Sequence, residues 1–93
     1  MHRDMTKDEI SAFCVDQLAE ILRMPKDKVD VNTKFTRLGL DSAMTVYLLM
    51  EIEDRLNLDL SAETFYDHPT VADLSAHLAE KLVARPGQPA AAR

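Results

Sequence analysis

Ser42 is the residue whose type and setting point most directly to chemistry. It follows Gly39-Leu40-Asp41, and an apolar-periodic segment starts immediately after it. Asp41 is a good N-cap, which puts Ser42 in the first helical turn. Unbonded N–H groups and the positive end of the helix dipole lie there, so a phosphate ester on Ser42 would be stabilised. Capping alone explains the same residues, because Gly-x-Asp-Ser is a short pattern. A hydrolase would need Ser42 with His68 and an aspartate. Against that, the chain has no Gly-x-Ser-x-Gly elbow and is short for a substrate pocket.

The other reactive side chains point to structure. Cys14 lies in the middle of an apolar helical stripe, where a buried, inert thiol is expected. As the one cysteine in the chain it forms no internal disulfide, which suits a reducing, cytoplasmic setting. His2, His68 and His77 show no metal-ligand spacing. Asp27 and Asp30 do not make a calcium loop. Arg55 is expected to pair with Glu51 one turn earlier. No metal site and no catalytic group follows from these residues.

The elements that must position Ser42 are helical. Thr6-x-x-Glu9 fits a capping box and opens a helix over 6–23, with Ile10, Cys14, Leu18 and Ile21 in one stripe that Leu22 widens. Pro25 stops it. Residues 24–40 read as a long connection anchored by Val29, Val31, Phe35 and Leu38, and such loops are often functional. A second helix spans 41–56. Residues 61–68 form a short helical turn begun by Ser61, with Phe65 facing inward. Thr70 caps a last helix with Val71, Leu74, Leu78 and Leu82 on its apolar side. The fold class is therefore all-α, a small bundle of three main helices plus one short helix. Residues 1–5 read as a flexible N-terminus and residues 84–93 as a disordered Pro/Ala/Gly tail.

With 93 residues this is one domain. No apolar run approaches the roughly 20 residues of a membrane span, and the N-terminus lacks an apolar signal segment. The net charge is −5 and unevenly spread. Residues 1–37 hold seven acids and seven bases, whereas residues 38–80 hold nine acids and one base, Arg55. An acidic surface argues against nucleic acid and for a basic protein partner.

The second helix has two apolar sides. At 100° per residue from Ser42, the residues Thr45, Leu48, Leu49, Ile52 and Leu56 fall in an arc centred near roughly 300°, an ordinary core stripe. Ala43, Val46, Tyr47 and Met50 lie on the opposite side, at about 40° to 140°. Asp54 shares that side, and Glu51 and Glu53 border it. Either this helix is buried on both sides, or it carries a docking strip with an apolar centre and an acidic rim. Met50 suits a surface that fits several partners.

Three segments then extend the pattern beyond Gly-x-Asp-Ser. They are Leu38-Gly39-Leu40-Asp41-Ser42, the helix through Leu56 with Leu58 and Leu60 after it, and Phe65-Tyr66-Asp67-His68-Pro69-Thr70-Val71. Together they resemble the acyl carrier protein family, including the carriers of polyketide and nonribosomal assembly lines. The likeness covers nearly all of residues 6–83, which would be the carrier domain.

The resemblance implies a 4'-phosphopantetheine arm on Ser42, delivered from coenzyme A by a phosphopantetheinyl transferase. Asp41 would assist that transferase through its Mg²⁺, and Gly39 belongs to the same attachment motif. The arm would hold acyl or aminoacyl groups as thioesters, and the chain would perform no reaction itself. Its partners would be acyltransferase, ligase or adenylation, or ketosynthase-type enzymes with basic docking surfaces, met by a freestanding monomer. Ala43 stands where the family often has leucine or methionine, which removes apolar bulk from the start of the strip. The Asp67-His68-Pro69-Thr70 turn favours the assembly-line group over D-alanyl carriers. The alternative reading is an acidic helical docking module with no prosthetic group.

Overall fold

In the computed structural model, which describes residues 5–84, helix α1 (Lys7–Leu22) begins with the expected capping box. The Glu9 N–H donates to Thr6 Oγ1 at 3.2 Å, and the Thr6 N–H donates to Glu9 Oε1 at 2.8 Å. Two orphan donors of the first turn are satisfied reciprocally. The helix ends at Arg23, which takes the left-handed conformation (φ 56°), and the Met24 N–H closes on the Ala19 carbonyl at 3.0 Å.

The connection after α1 is more ordered than its sequence suggests. It contains a 3₁₀ turn over Lys26–Lys28 and a four-residue helix, α2 (Phe35–Leu38), so the bundle has one more short α-helix than the sequence predicts. Four residues are too few to display a 3.6-residue period, and α2 is held by contacts from elsewhere. Val29 and Phe35 are buried and Val31 and Leu38 pack against the core, as expected of the four anchors. Leu40 is buried as well. Two backbone bonds pin this segment to the far end of the chain. The Phe35 N–H donates to the Pro69 carbonyl at 2.8 Å, and the Ala72 N–H donates to the Val31 carbonyl at 2.9 Å.

Helix α3 (Ser42–Leu56) is capped by Asp41 and ends at Asn57, again left-handed (φ 55°). Helix α4 (Ala62–Asp67) is short, and Ser61 stands at its N-cap without a side-chain capping bond. Helix α5 (Val71–Ala84) starts with the Asp73 N–H donating to Thr70 Oγ1 at 3.0 Å. Among the described residues all regular structure is helical.

The three long helices meet in one core. Ile10, Cys14 and Leu18 from α1, Leu48, Ile52 and Leu56 from α3, and Val71, Leu74, Leu78 and Leu82 from α5 are all buried. Met5 also packs against this core, so the N-terminal segment is anchored at its fifth residue. Residues 1–4 and 85–93, where a flexible start and a disordered tail are expected, lie outside the described residues. Ala84 is the last residue of α5.

Ser75 breaks the apolar pattern of α5. It is fully buried, and its hydroxyl has no hydrogen-bond partner. An unsatisfied buried hydroxyl is destabilising, and alanine is the better helix former. Ser75→Ala is therefore expected to stabilise the fold by about 1 kcal/mol, read from urea denaturation. A loss of stability of that size would mean that the hydroxyl is satisfied in solution.

Candidate functional site

Ser42 is exposed at the first position of α3, and among the described residues its hydroxyl makes no hydrogen bond. Asp41 does the capping. Its carboxylate accepts from the Met44 N–H at 2.8 Å, and its carbonyl accepts from the Thr45 N–H and the Thr45 hydroxyl, each at 2.8 Å. These bonds hold the first turn without help from Ser42. The serine oxygen therefore stands free beside the positive end of a fifteen-residue helix.

Gly39 sets the approach to that turn. It ends α2 with φ 106°, and the Leu40 N–H closes back on the Phe35 carbonyl at 3.0 Å. The space around its α-carbon is open, since an added Cβ would meet only the Leu22 side chain at 3.9 Å. The backbone conformation is what selects glycine. Gly39→Ala is expected to destabilise the fold by about 1 kcal/mol through the positive φ, measured as a lowered melting temperature. An unchanged melting temperature would mean that the turn adopts another geometry.

The second apolar side of α3 faces solvent. Val46, Tyr47 and Met50 are 49%, 52% and 59% exposed, which decides against a helix buried on both sides. Ala43 and Asp54 are exposed beside them. Met44 and Leu49 lie on the other flank and pack against the core. At the C-terminal end of the strip, Met50 and Leu58 line a cleft of about 470 Å³ rimmed by Glu51, Asp54 and Asp59. Tyr66, which the sequence pattern does not single out, is 72% exposed on α4. Its signal is nonetheless present, because adjacent residues on a helix point about 100° apart and Phe65 is committed to the core.

Two charged residues behave differently from expectation. Arg55 does not pair with Glu51. Its guanidinium lies 5.7 Å from the centre of the Phe13 ring on α1. The ring face and the burial of the arginine stem outweigh an exposed ion pair, which contributes little. The one base of the acidic region is thereby drawn towards α1. Among the described residues Glu51 and Asp54 have no ion-pair partner. Glu53 is half-buried, and its Oε2 accepts from the Leu60 N–H at 2.8 Å. It ties down the segment between α3 and α4, a role that a rim position on the wheel does not reveal.

The remaining candidates fall where their types suggested. Cys14 is fully buried, and burial pushes its thiol up to about 12. Among the described residues no cluster of three or more His, Cys, Asp or Glu is placed to hold a metal, and no helix is long and apolar enough to cross a membrane. Sequence spacing does not bring His68 and His77 together, but the fold does. Their rings stack 4.0 Å apart.

A family model for the phosphopantetheine attachment site matches residues 15–78, which include the whole of α2, α3 and α4. The chain belongs to this carrier family. Its members bear a covalently attached 4'-phosphopantetheine and are carriers, not catalysts. The carrier domain is 35% identical over 65 residues to a component of the phenolphthiocerol/phthiocerol polyketide synthase of Mycobacterium tuberculosis, covering 70% of this chain and 4% of that protein. The chain thus spans only a small fraction of that relative. Among solved structures, a free-standing peptidyl carrier protein from Acinetobacter baumannii superposes with a TM-score of 0.80 at 30% identity, covering 83% of this chain and 96% of the other. The HMG-ACPI domain of the CurA module from Lyngbya majuscula gives 0.79 at 33% identity, with 91% and 86% covered. The all-helical carrier fold expected from the sequence is therefore established.

The residues around Ser42 fit the group that the family carries. The hydroxyl is exposed and unengaged, the first turn is capped independently of it, and the dipole favours an attached phosphate.

Proposed function

We propose that Ser42 is the attachment residue of the phosphopantetheine arm, and that helix α3 is the face on which partner enzymes dock. The observation that carries the assignment is the free Ser42 hydroxyl at the start of α3, inside the segment that matches the attachment-site family. The arm supplies a terminal thiol that holds a cargo as a thioester. The chain's own residues do the rest. Asp41 fixes the helix start, and with one carboxylate oxygen engaged in capping it keeps the other for a transferase's Mg²⁺. Gly39 turns the chain into that start. Val46, Tyr47 and Met50 provide apolar contact, while Glu51 and Asp54 steer a basic surface into register. Tethering raises the effective concentration of the cargo at each enzyme.

The cargo would be an acyl or aminoacyl intermediate of polyketide or nonribosomal biosynthesis, in keeping with the relatives' descriptions. The partners would be a phosphopantetheinyl transferase and acyltransferase, ligase or ketosynthase-type enzymes. The setting would be the cytoplasm, and a monomer is sufficient.

The test is to incubate the protein with coenzyme A, Mg²⁺ and a broad-specificity phosphopantetheinyl transferase, and to measure intact mass. One phosphopantetheine on the peptide containing Ser42 is expected. Addition at another residue would move the site. No addition to folded protein by several transferases would favour a docking module without the arm.

A further inference from the structure

We propose that the stacked His68–His77 pair is an acid-operated latch that holds α4 against α5 and, through α4, shapes the recess next to Ser42. The two rings lie 4.0 Å apart between centroids and 17° from parallel. Two neutral imidazoles stack favourably at that distance, whereas two imidazolium ions in the same place repel. His68 is the C-cap of α4, and its N–H donates to the Thr64 carbonyl at 3.0 Å. His77 projects from the middle of α5. A push on His68 therefore acts directly on the last turn of α4.

Helix α4 is the element best suited to respond. Six residues are too few for a helix to persist alone in water, and Ser61 supplies no side-chain cap. Its order depends on packing, chiefly Phe65 against Phe35 at 5.4 Å. Phe65, Tyr66 and the following Pro69 form one wall of a recess of about 100 Å³, and Phe35, Leu40 and Thr45 form the other. Leu40 and Thr45 flank Ser42 in sequence. Release of α4 would open this recess beside the start of α3.

The charged groups facing the pair are Asp67 from α4 and Glu80 and Lys81 from α5. Burial, the neighbouring His68 and then Lys81 hold His77 below the ordinary imidazole value, outweighing the opposite pull of Glu80 and Asp67. The sign follows. The released state takes up the proton at higher pH than the latched state. The contribution of the latch is thus complete above the ordinary imidazole pKa of 6.5 and is lost as pH falls below it, through the depressed value. Exposed carboxylates titrate lower, near about pH 4, so they leave the window between pH 7.5 and 5.5 to the histidines.

The experiment is amide hydrogen exchange by NMR on the full chain at pH 7.5 and pH 5.5, corrected for intrinsic exchange, with His77→Gln and His68→Gln alongside. In the wild type, the amides of Ala62–Asp67 are expected to lose protection severalfold on acidification relative to those of the α1 core. Both glutamine variants should lack this selective change. Uniform loss across the molecule, or the same α4 response in the variants, would overturn the latch. Ring-proton titration of the wild type and His68→Gln gives a readout that does not need His77→Gln to fold. The His77 midpoint should rise when His68 can no longer charge, and an unmoved midpoint would also overturn the proposal.

Discussion

Ser42→Ala is expected to keep the fold and abolish loading. The serine hydroxyl bonds to nothing among the described residues, and the cap belongs to Asp41, whose carboxylate and carbonyl hold the first turn at 2.8 Å. Alanine at an exposed first-turn position is well tolerated, so stability should change by less than about 0.5 kcal/mol. Loading should fall below detection in the mass assay, because the atom that would form the phosphodiester is gone. The circular dichroism and melting temperature of the variant distinguish this from unfolding. An arm on folded Ser42→Ala would refute the attachment assignment. The effect is all-or-none because no second serine or threonine shares the setting. Thr45, one turn on, gives its hydroxyl to the Asp41 carbonyl and is half-buried.

The contrast between Ser42 and its surroundings shows what a sequence of this kind reveals. Strong local chemistry is readable. The Thr6–Glu9 capping box, the Asp41 cap and the Thr70 cap all appear where the residue types place them. Long apolar stripes are equally readable, because fifteen residues display several turns of period. The two-sided pattern of α3 leaves two explanations open, and solvent exposure at Val46, Tyr47 and Met50 decides for a strip outside the core. What stays hidden depends on contacts between distant segments. Helix α2 forms because Phe35 packs on Phe65 and donates its N–H to Pro69, and neither partner is local. Arg55 chooses Phe13 over Glu51 because α1 and α3 lie side by side. The His68–His77 stack joins two elements across a turn. A helical wheel orders residues around one axis and says nothing about what the next helix brings.

Glu53 and Asp54 are adjacent carboxylates that should fail in different ways when changed. Both belong to the acidic side of α3 by angle, yet Glu53 Oε2 accepts the Leu60 N–H at 2.8 Å in a half-buried setting, while Asp54 is exposed and has no ion-pair partner among the described residues. Glu53→Ala removes the acceptor and leaves that N–H unsatisfied, which should cost about 2 kcal/mol. For a domain of this size that corresponds to a melting temperature lower by roughly 10 °C. Glu53→Gln retains an acceptor oxygen of similar reach and should recover most of the loss. Asp54→Lys, combined with Glu51→Lys, should leave the melting temperature nearly unchanged and lower the transferase's kcat/KM for this carrier by roughly three- to tenfold at low salt. The difference should shrink as salt screens the approach. The two residues are thus separated by readout: stability with rescue by glutamine for Glu53, encounter rate with salt dependence for Asp54. If Glu53→Ala melted with the wild type, the loop between α3 and α4 would be held by something other than this bond. If the double lysine variant loaded at the wild-type rate at every salt concentration, the transferase would approach Ser42 from a different face.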